Sequence, residues 1–474
     1  MSQGLFATLQ QLLGASHVQS GEEAAPYLTD KQGRYVGQVI AAAHPANTEE
    51  VAAVVRACVA NDTPIVVQGG NTGLMGGATP DASGRAVLLL LDCLNRVRNV
   101  DTDNDTLTVE AGCILQTVQD VARNAGRLFP LSLGAEGSCT IGGNLGTNAG
   151  GTAVLRYGNT RELTLGLEVV TAQGEIWNGL RGLRKDNTGY DLRDLFIGSE
   201  GTLGIITAAT LKLFPLPKAQ ATALLAFDSL AQAVKFLSHA RAGFGASLTA
   251  FELLSADCLA VLREQFPQGP QPFLGALQPW FALLELSDNH SESHAREAFE
   301  MVLGDAFEEE LLANALIAES LAQSEGLWLL RENMSEAQKR AGRNMKHDIS
   351  VPISQVVAFV AHTDALLQQH FPGVRHFTFG HLGDGNLHYN VAHPLDSTVE
   401  AHMANYAALS ELVHDSAHAH GGSISAEHGI GQRKVGLLDR YKSPVELDLM
   451  RRIKHALDPK NLLNPGKVVE VAKP

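Results

Sequence analysis

The chain has 474 residues; at ~150 residues per domain that is about three domains, and one core rarely grows past ~250–300 residues, so at least two are expected. Apolar residues make up 45% and charged residues 18%, with 46 glycines, which excludes a disordered chain or a coiled coil. The 36 Lys and Arg against 51 Asp and Glu leave a net charge of -15, a surface that repels nucleic-acid phosphates and anionic lipid.

In chain order, residues 44–61 place Asn47 three before Glu50, a capping-box spacing, ahead of apolar residues at helical period. PIVVQGG (64–70) reads as a short buried strand running into glycines. AVLLLLDCL (86–94), LTVEAGC (107–113), TLGLEVVTAQGEI (164–176) and ITAATLKLF (206–214) read as strands, and QTVQDVARNAG as a helix stopped by Gly126. PLPK (215–218) punctuates the chain. Beyond it come helices interrupted by strands such as FALLEL (281–286), and FTFGHLGDGNLHYNV (377–391) reads as a hairpin around Gly-Asp-Gly-Asn. A helix near 398–420, the stretch GGSISAEHGIGQRKVG and a final helix closed by Asp-Pro and Asn-Pro turns complete the chain.

Cys58, Cys93, Cys113, Cys139 and Cys258 are scattered and form no C-x-x-C, which argues against a disulfide scaffold and against Cys-ligated zinc or iron–sulfur. No Lys or Arg precedes Lys31 and no run approaches 18 apolar residues, so neither a targeting peptide nor a membrane span is expected. A reducing, cytoplasmic compartment is the expectation.

Several stretches carry chemistry. VVQGGNTGLMGGATP (66–80) has five glycines that let backbone N–H groups approach and cradle a pyrophosphate, although neither G-x-G-x-x-G nor G-x-x-x-x-G-K-[ST] occurs. SLGAEGSCTIGGNLGTNAGGTAVLRYGN (132–159) and IGSEGTLGIIT (197–207) repeat the theme. An ordinary turn explains one such stretch; three of them fit a long phosphate-bearing cofactor better. The hairpin reading puts His381 and His388 on adjacent strands, where two neutral imidazoles suit a zinc-like or manganese-like ion. In Ser425-Ala426-Glu427-His428-Gly429, Glu427 could complete a ligand set and His428 could act as a base near pH 7, provided the segment is a loop. Arg331 and Ser335, four apart on one expected helix, with Lys346 beyond Gly342, have the chemistry to hold a carboxylate. Asp101, Asp103 and Asp105 have calcium-loop spacing, but Thr106 and Gly112 stand where the needed Gly and Glu would be, which leaves a solvated turn.

VVQGGNTGL, GSCTIGGNLGTNAGG, GSEGTLGIIT, GHLGDGNLHYN, SAEHGIGQRK and LDPKNLLNPGK, in this order over roughly residues 40–470, resemble the FAD-linked oxidases related to vanillyl-alcohol oxidase, and among them the D-2-hydroxyacid dehydrogenases. The resemblance implies an α+β chain with a two-lobed FAD-binding domain (1–215), a substrate domain of antiparallel sheet and helices (216–425), and a C-terminal segment (426–474) returning near the flavin. It implies FAD contacts from Gln68, Gly69, Gly70, Asn71, Thr72, Gly73, Ser138, Gly142, Gly143, Asn144, Asn148, Gly150, Gly204, Ile206 and Asn464. It further implies a divalent metal, zinc or manganese, on His381, His388 and Glu427, with His428 as the catalytic base and Arg331, Ser335, Lys346, Asn390 and His428 contacting substrate. The first glycine loop has no His, so noncovalent FAD is expected. The implied reaction is oxidation of a D-2-hydroxy acid, D-2-hydroxyglutarate first, with D-lactate or glycolate as alternatives and a non-catalytic flavin-binding subunit as a reading of another class. Without C-x-x-C motifs, electrons must leave to a separate acceptor: an electron-transfer flavoprotein, a quinone or a cytochrome. A homodimer and a peripheral attachment to the membrane through that acceptor are left open.

Overall fold

The computed structural model describes residues 2–273, 275 and 278–471. It divides into two compact units. The first takes the chain up to Gly150, Gly158–Leu216, and everything from Glu427 onward. The second is Gly151–Tyr157 with Pro217–Ala426.

In the first unit, β1 (Val18–Ser20), β2 (Val39–Ala43), β3 (Ile65–Gln68) and β4 (Ala86–Leu90) form a sheet of order β1-β2-β4-β3. β2, β4 and β3 run parallel, and every residue of β4 is buried. That continuous apolar run is the mark of a parallel strand covered on both faces. The helix Thr48–Ala60 covers one face with Val51, Val54, Val55 and Cys58. Its Asn47 cap accepts the Glu50 N–H at 2.9 Å, while the Glu50 carboxylate takes the N–H of Ala46, one residue outside the expected box. A second, antiparallel sheet joins β5 (Val97–Asp101), β6 (Thr106–Glu110), β8 (Thr164–Val170), β9 (Ile176–Gly179) and β10 (Ile205–Lys212) in the order β5-β6-β10-β8-β9. β7 (Arg127–Leu128) and β11 (Phe214–Pro215) pair separately.

Two stretches expected as single strands are divided in the structure. The stretch 164–176 is a hairpin, because Gly174 adopts φ +76° and turns the chain between β8 and β9. The stretch 206–214 is divided at Leu213 into β10 and β11, because β11 leaves the sheet to pair with β7. Residues Ile141–Thr147, inside the second glycine-rich stretch, form a helix capped by Thr140 and ended by Asn148 in the left-handed conformation. Glycine there costs roughly 1 kcal/mol against alanine, yet a Cβ on Gly142 would lie 2.8 Å from that of Ala111. Close helix-to-strand packing is the reason for that glycine.

The second unit is built on one antiparallel sheet. β12 (Ala219–Phe227), β13 (Leu248–Ser255), β14 (Trp280–Asp288), β15 (Asn314–Ile317), β16 (Asp348–Ser350), β17 (Arg375–His381) and β18 (Asn386–Ala392) order as β15-β12-β14-β13-β17-β18-β16. Side chains alternate between faces with period two. One face carries Leu225, Phe227, Phe251, Leu284, Tyr389 and Val391 under the helices Leu230–Phe244, Glu292–Glu308, Val356–His370 and Tyr406–Ala419. The other carries Leu224, Leu254, Phe281, Leu283, Phe377 and Phe379 under the helices Ala256–Gln265, Leu321–Glu332 and Met334–Arg340.

Candidate functional site

The strand register decides which polar side chains of the second unit meet. Glu252 pairs with His381, Phe379 with His388, Phe377 with Asn390, and His388 with Asp348. Directly opposed residues share a face. Glu252, His381, His388, Asp348 and Asn390 therefore all lie on the Phe379 face, and the His381 and His388 rings meet edge to face at 5.5 Å. The turn between the two strands is possible because Gly385 takes φ +82° and a Cβ there would strike the Val351 carbonyl.

Glu252 is the centre of this row. Its Oε1 lies 2.6 Å from His381 Nδ1 and its Oε2 accepts from Arg331 Nε at 2.6 Å. The carboxylate is 1% exposed. Burial alone would raise its pKa, but His381 and Arg331 together bring it down to about 2. An ionised carboxylate only accepts, so Nδ1 of His381 carries a proton, and in the neutral imidazole Nε2 is then the nitrogen that can bind a metal. Arg331 Nη2 approaches that nitrogen at 3.4 Å, and the guanidinium stacks over the Phe379 ring at 5.1 Å. Asp348, equally buried, accepts from Asn386 Nδ2 at 2.9 Å and from the N–H of Ala426 at 3.2 Å, and its Oδ1 stands 3.9 Å from His388 Nδ1.

The remaining expected substrate residues are placed less uniformly. Arg331 and Ser335 do not share one helix. The chain turns at Asn333, so Arg331 ends the helix Leu321–Glu332 and Ser335 opens Met334–Arg340, exposed. Lys346 is exposed two residues before Asp348. Asn390 is buried and its amide donates to Gln338 Oε1 at 2.8 Å, an oxygen that also accepts from Asn344. Glu427 and His428 belong to the first unit, in an irregular segment, with His428 Nε2 3.6 Å from Glu427 Oε1. Glu252 and Asp348 were missed in the sequence. A lone Glu inside the apolar strand FELLS was the available signal for the first; nothing comparable marked the second.

In the first unit the parallel strands β2, β4 and β3 end side by side at Ala43, Leu90 and Gln68, and the first glycine loop leaves from the end of β3. The carboxyl edge of parallel strands is where such sheets bind ligands. Gln68 is buried and holds the loop by donating to the carbonyls of Tyr27 and Ala78. Asn71, at φ +50°, donates to Thr29 O. Cβ atoms on Gly69 and Gly70 would fall 2.3 Å from Thr140 Oγ1 and 2.0 Å from Ser138 O, so contact within the chain itself demands those two glycines. Gly73 faces open space, and Thr72 beside it is half-buried. Ser138 is exposed, Gly143 donates its N–H to Thr140 Oγ1, Asn148 accepts from Arg161 N, Gly150 is half-buried, and Gly204 packs against Phe196 and Val169 beside buried Ile206. Asn144 is buried and its Nδ2 lies beside the Cys139 thiol with no oxygen or nitrogen acceptor among the described residues, which fits a donor that serves a ligand oxygen. The open backbone at Gly73 and the buried amide of Asn144 fit a phosphate-bearing cofactor.

The C-terminal segment is hydrogen-bonded into this unit. Glu200 accepts from the N–H groups of Ile430 and Gly431 at 2.7 and 2.9 Å. Asn464 donates to the carbonyls of Gly77 and Glu200 and accepts from Lys467. Burial drives the Lys467 ammonium down to about 7. Cys139 is buried and its thiol is pushed up by burial, which is unlike a reactive thiolate.

Residues 39–179 match the FAD binding domain family, and residues 216–468 match the C-terminal domain of FAD linked oxidases. The chain is 40% identical over 474 residues to D-2-hydroxyglutarate dehydrogenase of Xanthomonas citri pv. viticola, covering 99% of this chain and 98% of that one. It is 36% identical to the mitochondrial D-2-hydroxyglutarate dehydrogenase of Bos taurus, over 99% of this chain and 84% of that one. Among solved structures, p-cresol methylhydroxylase with substrate bound superposes with TM-score 0.78 at 18% identity, over 98% of this chain and 96% of that one. An oxidase of 4-ethylphenol from Gulosibacter chungangensis gives 0.76 at 18%, with the same coverage. The chain belongs to the FAD-linked oxidase family, in its D-2-hydroxyglutarate dehydrogenase branch, and is an FAD-dependent oxidoreductase of D-2-hydroxy acids.

Proposed function

We propose that the substrate is D-2-hydroxyglutarate, oxidised to 2-oxoglutarate, and that a divalent metal, zinc or manganese, is held by His381, His388 and Glu427. The observation that carries this reading is the Glu252 carboxylate, which brings a histidine and an arginine to one face of one sheet. His381 offers a nitrogen lone pair, His388 stands beside it, and Ala426, the residue before Glu427, is hydrogen-bonded to Asp348. This donor set of imidazole and carboxylate suits such ions. When bound, the metal supplies Lewis acidity and FAD the hydride acceptor.

The chain's own residues do the rest. His428 takes the proton of the 2-hydroxyl while the Cα hydrogen leaves as hydride, so the alcohol loses two electrons and becomes the ketone. Arg331, with Ser335 and Lys346, receives the distal carboxylate, which D-lactate and glycolate lack. Asn390 orients the near end of the substrate. Gln68, the glycine loops and Asn464 shape the FAD cradle, where the flavin is held noncovalently. The electrons then pass to a separate acceptor, an electron-transfer flavoprotein, quinone or cytochrome. No helix among the described residues is long and apolar enough to cross a membrane, and we place the enzyme in the cytoplasm. A panel of D- and L-lactate, malate and 2-hydroxyglutarate with an artificial electron acceptor tests the assignment. D-2-hydroxyglutarate should give the highest kcat/KM; a preference for D-lactate or glycolate refutes it.

A further inference from the structure

One residue of the proposed metal set, His381, and one of the proposed substrate set, Arg331, are held by the same side chain, which none of the expected site residues includes. Glu252 is the sole carboxylate on its strand, buried among Leu253, Leu254 and Phe251, and bound on both oxygens. Burying a carboxylate is costly unless it is paired with a charge and its oxygens are hydrogen-bonded. Two contacts of 2.6 Å satisfy it here, and they reach two residues with different duties. His381 sits directly opposite on β17, and Arg331 descends from the last turn of the helix Leu321–Glu332. The neighbouring strand repeats the device: Glu285 on β14 accepts the indole N–H of Trp328, one helical turn before Arg331. The helix is thus tethered to the sheet by two carboxylates, and only one of them also touches a proposed metal ligand.

We propose that Glu252 is a positioning residue with two outputs: through His381 Nδ1 it fixes the tautomer that presents Nε2 to the metal, and through Arg331 Nε it aims the guanidinium at the substrate's distal carboxylate. The proposal rests on the metal reading above. Hydrogen bonding to the far nitrogen of a metal-ligating histidine orients the ring and raises its basicity, and losing such a partner costs about 10–100-fold in metal affinity. An amide at this position breaks the arrangement asymmetrically. Its oxygen satisfies either His381 or Arg331, and its NH2 group opposes a donor on the other side. Metal affinity and substrate KM therefore fall under one side chain, though neither ligand touches it.

The test is a metal titration of full-length, metal-stripped flavoprotein against a chromogenic chelator, using zinc, on wild type, Glu252→Gln, Glu252→Asp and His388→Ala. Glu252→Gln should bind zinc about 10–100-fold more weakly while keeping its flavin spectrum. With saturating zinc its kcat should return, but its KM for D-2-hydroxyglutarate should stay raised, because metal does not re-aim Arg331. A merely structural role would lower the active fraction and leave KM alone. Glu252→Asp, with the charge kept and the reach shortened, should recover part of both losses. If Glu252→Gln gives no folded flavoprotein, Glu252→Asp carries the same titration, and an affinity and KM equal to wild type overturn the proposal. Zinc affinity of Glu252→Gln within about threefold of wild type, with His388→Ala abolishing binding, overturns it and leaves the metal reading standing. Zinc affinity of His388→Ala equal to wild type defeats the metal reading itself.

Discussion

Glu285 offers a prediction whose sign follows from its surroundings. It lies on β14 opposite Thr222 and Ala250. Trp328 Nε1 donates to it at 2.7 Å and Gln220 Nε2 stands at 3.4 Å. Neither is charged, so burial dominates and pushes the carboxyl from an ordinary 4.5 up to about 7, against the smaller opposing effect of Trp328. Its folded pKa is above its unfolded one. Below about pH 4.5 both states are protonated and the group is neutral for stability. Between there and about 7 the unfolded chain ionises first, so stability falls as pH rises; above 7 the loss is complete. At 1.36 kcal/mol per pH unit the loss reaches about 3 kcal/mol, an upper value. Glu285→Gln keeps an oxygen for Trp328 and removes the ionisation. The variant should match wild type near pH 4.5–5 and be more stable by up to about 3 kcal/mol at pH 8, roughly 6–12 °C in Tm for a unit of this size. Thermal unfolding of the flavoprotein from pH 5 to 8.5, read as variant minus wild type, measures this. A difference that does not change with pH refutes the argument.

Three further outcomes are expected. Arg331→Ala should lower kcat/KM for D-2-hydroxyglutarate by about 10- to 150-fold, the worth of a hydrogen bond to a charged group, and should cost D-lactate much less; equal losses on both would contradict the placing of the distal carboxylate. Exhaustive chelation should remove most turnover without releasing FAD, and added zinc or manganese should restore wild type but not His428→Ala, because metal cannot replace the proton acceptor; full activity after stripping would sink the metal reading. Acid precipitation should leave yellow supernatant, since the first glycine loop has no His and Cys139 is buried, and colour retained in the pellet would mean a covalent link.

What was legible in the sequence was local. The cap at Asn47, the stop at Gly126 and the 377–391 hairpin depend on residues within one turn or one loop of each other, and the structure contains all three. The hairpin put His381 and His388 within reach because seven residues and one tight turn determine that geometry. The glycine stretches were legible as unusual, but their reasons were not. Gly69, Gly70 and Gly142 answer to Thr140, Ser138 and Ala111, contacts that need the sheet and the helix Ile141–Thr147 already in place. The break at Asn333 hides in a helix-forming sequence whose period runs through it. Residues 151–157 join the second unit because Arg156 donates to the carbonyls of Ser247 and Ser287, 91 and 131 positions away.

Glu252 shows why the rest was out of reach. Its partner His381 is 129 residues distant, and the two meet only if β13 pairs with β17 in one register. A slip of one residue would turn Glu252 to the opposite face of the sheet, where apolar side chains such as Leu225, Leu284 and Tyr389 lie. The cost of burying an unpaired carboxylate there, several kcal/mol, makes that slip unfavourable. The same charge that arranges the proposed site thus also selects the register that builds it. The apolar residues of β13 favour burial on both faces and discriminate poorly between registers, whereas Glu252 has its two hydrogen-bond donors, His381 and Arg331, on one face alone.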